Sequence, residues 1–118
     1  MLMENDQLTL AEDRYVQAAR AHARYSESDS DKANAEHDRL VAAFKELREA
    51  GDLGWAIVKR LAGHEDACVR LWGATHLLLN RPEDAVAILE ELSARADMTG
   101  FQAEIVLSEW SAGTLRWA

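Results

Sequence analysis

The chain has 118 residues, 21 of them acidic and 13 basic, for a net charge of −8 at pH 7. A domain of this length buries roughly 60–70% of the surface its unfolded form exposes, so it needs no metal or disulfide staple, and its one cysteine, Cys68, cannot form an internal bridge. The acidity repels phosphate backbones and anionic lipid, the opening MLMENDQLTLAEDRY lacks the basic and apolar stretches of a secretory signal, and no apolar run nears the ~20 residues of a membrane span; the expectation is a soluble, cytoplasmic single domain, 1–118, with no nucleic-acid or membrane partner.

Leucine, alanine and glutamate dominate, and no β-branched run alternates with period two, so the chain reads as all-α. The first helix is expected to start at Thr9, where TLAE has the form of a capping box with Glu12. Leu8, Ala11, Tyr15, Ala18, His22 and Tyr25 then recur at helical spacing. SESDSD, residues 26–31, interrupts that pattern with short polar side chains that compete for backbone hydrogen bonds, which predicts a loop. A second helix follows from Asp31 to Ala50, with Ala33, His37, Leu40, Val41, Phe44 and Leu47 as its apolar stripe and Gly51 as a left-handed cap. The short loop makes these two helices antiparallel neighbours.

The third helix spans Asp52 to Ala62, capped by Asp52 and ended by Gly63. The fourth starts at Asp66, stops near Asn80 and is apolar nearly all round, as a helix packed between others is; Gly73 within it would let a neighbour approach closely. Pro82 opens the fifth, since its missing amide costs nothing there, with Glu83 and Asp84 at the favourable positive end. A second capping-box pattern, Thr99 with Gln102, is expected to open the sixth helix, whose Ala103, Val106, Leu107 and Trp110 form an inner face and whose end is Gly113. The sum is about six helices in three antiparallel hairpins.

Asp66, Val69, Arg70 and Ala74 take an Asp-x-x-Val-Arg-x-x-x-Ala spacing. There WAIVKRLAGHEDACVRLWGATHLLL resembles one helical hairpin of the HEAT-repeat family, and RPEDAVAILEEL resembles the first helix of a following unit. The resemblance covers residues 52–93; the second unit lacks the Val-Arg pair, as a terminal repeat would. The ending GFQAEIVLSEWSAGTL is similar to that of a small bacterial HEAT-like family of unknown function, in Ala103-Glu104 and Glu109-Trp110. The resemblance implies a short right-handed HEAT-like α-solenoid: a capping hairpin at 1–50 and a repeat region at 51–118. It also implies an adaptor or immunity-type protein that binds another protein.

No motif declares a catalytic centre, and no cofactor is expected. Cys68, Trp72 and His76 share a face at i, i+4 and i+8, with His64 just outside the helix, but neither Cys-x-x-Cys nor His-x-x-x-His accompanies them, so no metal site is expected. Cys68 lies near a helix start, where a thiol can be activated; a small buried thiol is the plainer reading. His22 and His37 could approach across the first hairpin. The adjacent carboxylates Glu12-Asp13, Glu65-Asp66, Glu83-Asp84 and Glu90-Glu91 diverge by about 100° on a helix and make no paired-carboxylate site. The expected function is a non-enzymatic protein-binding module, of the immunity or antitoxin kind, that neutralises a basic partner. The expected surface is Glu90, Glu91, Glu104 and Glu109, with Trp110 or Trp117 as aromatic anchor. The competing readings are a small enzyme using His22, His37 or Cys68, and a structural subunit that self-associates through an open end.

Overall fold

The computed structural model describes residues 4–116, and these residues form six α-helices and no strand. They are α1 (Glu4–Tyr25), α2 (Ser30–Glu49), α3 (Asp52–Leu61), α4 (Ala67–Leu77), α5 (Pro82–Ser93) and α6 (Met98–Ala112). The described residues divide into two compact units, 4–57 and 58–116. Trp117 lies outside the described residues.

In the first unit α1 packs along α2. The direction follows from side-chain pairs: Lys32 sits over the Tyr25 ring at 5.2 Å, His22 faces His37, and Arg14 reaches Glu46 at 3.7 Å. Position rises on one helix as it falls on the other, so the pair is an antiparallel hairpin. Leu8, Ala11, Tyr15, Ala18, Leu40, Ala43, Phe44 and Leu47 are buried. Complete burial pushes the Tyr15 phenol well above its usual pKa.

Thr9 does not open α1. The helix begins at Glu4 and runs through it, with Leu8, the residue before Thr9, already on the buried side. The loop is Ser26–Asp29, and Asp29 caps α2 by accepting from the Lys32 amide. Gly51 takes the expected left-handed conformation, φ +67°, which only glycine adopts freely. Its amide donates to the Arg48 carbonyl, while its own carbonyl accepts from the Trp55 amide. One residue thus ends α2 and starts α3, and Asp52 stands inside the first turn of α3 rather than capping it. Gly54 allows this sharp join: a side chain there would drive into the Leu47 carbonyl. Trp55 meets the Phe44 ring edge-on at 5.8 Å.

In the second unit α4 packs against α5 and α6, and α5 against α6. Its buried residues include Val58, Leu61, Val69, Leu71, Ala74, Leu77, Leu78, Leu89 and Leu92. Asp66 caps α4 as its position in the sequence predicts, accepting from the Cys68 and Val69 amides at 2.9 and 3.4 Å. Gly73 lies against the end of α3, where a Cβ would come within 2.6 Å of the Ala62 nitrogen. Gly63 ends α3 without a left-handed turn. Pro82 opens α5. α6 starts one residue before Thr99: Asp97 is the cap, accepting from the Gly100 amide at 3.1 Å, and Thr99 is buried in the first turn. Gly113, at φ +73°, ends it. Among the described residues no helix is long and apolar enough to cross a membrane.

Candidate functional site

The residues of the Asp-x-x-Val-Arg segment serve the fold. Val69 and Ala74 are fully buried. Arg70 donates to the His64 carbonyl at 3.4 Å, and His64 accepts the Asp66 amide on Nδ1 at 2.9 Å, so His64 and Arg70 brace the turn into α4. Cys68 is half-buried, with its Sγ 3.9 Å from the Thr99 hydroxyl. His76 is buried, its ring 6.2 Å from that of Trp72. Among the described residues no three His, Cys, Asp or Glu side chains converge to hold a metal ion.

His22 and His37 do approach one another, with ring centroids 6.2 Å apart. Burial, then the nearby His37, lowers the His22 pKa, and Glu36 opposes the shift. Glu36 itself pairs with Arg39 on the next turn of α2. These groups lie beside a surface groove of about 820 Å³ along the α1–α2 hairpin, floored by Ala18, Ala21, Ala42 and Ala43 and edged by charges of both signs. Side chains of both signs, Arg14, Arg39 and Lys45 with Glu36, Glu46 and Glu49, line the groove around that alanine floor.

The surface of α5 and α6 is different in kind. Between Pro82 and Ala112 seven acidic residues stand against one basic residue, Arg95, so that this stretch carries −6 of the chain's −8. Arg95 is engaged by Asp97 through three hydrogen bonds of 2.7–3.3 Å. That pairing, together with the Gly100 amide, holds the Asp97 carboxyl below its usual pKa and raises that of Arg95. Glu90, Glu91 and Glu104 are exposed, and Glu109 and Trp110 are half-buried.

Helical register separates the four expected carboxylates. Glu90 and Glu91 diverge by about 100° on α5, and Glu104 and Glu109 stand roughly 140° apart on α6. Trp110 falls on the same side of α6 as the buried Ala103. What lies between Glu104 and Glu109 was not singled out from the sequence: Met98, Phe101 and Ile105 are 47%, 57% and 40% exposed. The signal was present, because apolar residues occur all round this helix, but Ala103, Val106, Leu107 and Trp110 alone complete a satisfactory inner face.

Comparison with protein-family models, curated proteins and solved structures finds no match.

Proposed function

We propose that this chain is a non-enzymatic protein-binding module whose acidic α5–α6 surface receives a basic protein. The observation that supports it is the charge segregation: seven acidic residues, with the only basic residue of the stretch already paired to Asp97. Such a surface speeds encounter with a cationic partner and rejects anionic ones. A small acidic protein with this surface would suit an immunity or antitoxin role, covering a basic protein and blocking its action. The HEAT-like solenoid implied by the sequence resemblance belongs to the same proposal.

The test is affinity capture from the native host's extract at low and high salt, with the natural chain and with Glu104→Lys/Glu109→Lys. A basic protein retained at low salt, released by salt and lost with the charge-reversed chain is the expected result. Retention of an acidic protein, or equal retention by both chains, would count against it.

A further inference from the structure

α6 carries a second apolar stripe on its outer side, and we propose that this stripe is a docking seam for a basic amphipathic helix of the partner. The inference rests on the acidic-surface reading above and names the element that would fill it. Met98, Phe101 and Ile105 follow one another at spacings of three and four, so they lie in one line along the helix. Ala112 extends that line to about 20 Å from Met98, at ~1.5 Å per residue. The opposite side of α6 is already buried at Thr99, Gly100 and Ala103. The outer stripe is therefore surplus to holding α6 in place. A helix apolar on both sides is normally covered on both.

Charge decides the occupant. Glu104 and Glu109 lie on either side of the stripe in helical register. A second copy of the chain pairing antiparallel about Ile105 would bring the two Glu104 carboxylates together, and like charges at such spacing oppose association. An anionic lipid surface would be repelled by the same groups. A partner helix with apolar residues at i, i+3 or i+4 and i+7 would cover Met98, Phe101 and Ile105, while lysine or arginine flanking that seam would meet Glu104 and Glu109.

The test uses two labelled lysine–leucine peptides of identical composition, each about 18 residues, long enough to form a helix on binding. One has its leucines at helical spacing; in the other the order is scrambled so that no apolar face forms. Binding to the full chain is followed by fluorescence anisotropy. The patterned peptide should bind at least about tenfold more tightly than the scrambled one, and Phe101→Ser or Ile105→Ser should each cost it about tenfold, as loss of an interface anchor does. Leu53→Ser, at the 54% exposed Leu53 of α3, is the control and should leave both affinities unchanged. Circular dichroism should be the same for all the variants, since these side chains are solvent-facing. Equal binding of the two peptides with a silent Phe101→Ser would overturn the seam and leave the acidic surface standing. Absence of salt-dependent binding by either peptide would overturn both readings. Self-association of the natural chain abolished by Phe101→Ser, with no competition by the patterned peptide, would give the stripe to a second copy and overturn the proposal as well.

Discussion

At Gly73 a methyl group would meet backbone: the Ala62 nitrogen at 2.6 Å, the Leu61 carbonyl carbon at 2.7 Å and the Ala62 Cα at 2.9 Å. Backbone cannot swing aside as a flexible side chain can, so α3 and α4 would have to separate locally. Gly73→Ala is expected to cost about 1–3 kcal/mol, the usual range for overpacking, measured as a fall in the denaturation midpoint at unchanged slope. Gly63→Ala is the matched comparison. Its nearest neighbour is the Arg60 carbonyl oxygen at 3.6 Å and its backbone is not left-handed; it should be neutral or stabilising by up to about 1 kcal/mol. The need for glycine at 73 is legible in the sequence, because it interrupts an otherwise apolar helix. The need at Gly54 is not, because it depends on how closely α2 and α3 join at Gly51. The approach of His22 to His37 was equally legible, since it requires only two stripes and an antiparallel hairpin.

For the helices, existence and order follow from periodicity, while the starts depend on which of several polar residues captures the amides. Asp66 is correctly marked, being the acidic residue directly before an apolar run. Thr9 and Thr99 carry the same local signature without the role, for different reasons. Leu8 keeps α1 going through Thr9, and Asp97, two residues ahead of Thr99, already holds the Gly100 amide. This contrast can be measured. Asp66→Ala should destabilise the protein by about 1 kcal/mol through loss of the cap. Thr9→Ala, exposed within a helix, should leave stability unchanged or raise it by a few tenths of a kcal/mol, as intrinsic helix propensity favours alanine. Equal losses from the two substitutions would show that α1 begins at Thr9 in solution.

Over the whole molecule the excess of negative charge works against compactness, because each folded charge sits closer to the others than in the open chain. Ion pairs such as Arg14–Glu46 and Arg81–Asp84 are solvent-exposed, and pairs of that kind offset it little. Raising NaCl from ~10 to ~200 mM shortens the screening length from about 30 to under 10 Å, so the thermal midpoint at pH 8 should rise by a few degrees. Near the sequence isoelectric point of about 4.9 the same salt should have little effect; an equal rise at both pH values would mean that salt acts other than by screening. The all-helical class and the acidity of the second half are legible without coordinates. The double-sided character of α6 is not, because a periodicity argument stops once one inner face is complete, and Phe101 and Ile105 then pass for ordinary helix residues. Which of the apolar faces finds a neighbour inside the chain is decided by packing.

The sharing of Gly51 between two helices also bears on which insertions and deletions the gene can tolerate. One extra residue at this join would turn α3 by about 100° relative to α2, carrying Gly54 away from the Leu47 carbonyl and Trp55 away from Phe44. One extra residue among Ser26, Glu27 and Ser28 would only lengthen a polar loop. Length variation should therefore gather between α1 and α2, while the step from α2 to α3 keeps its residue count even where its side chains change.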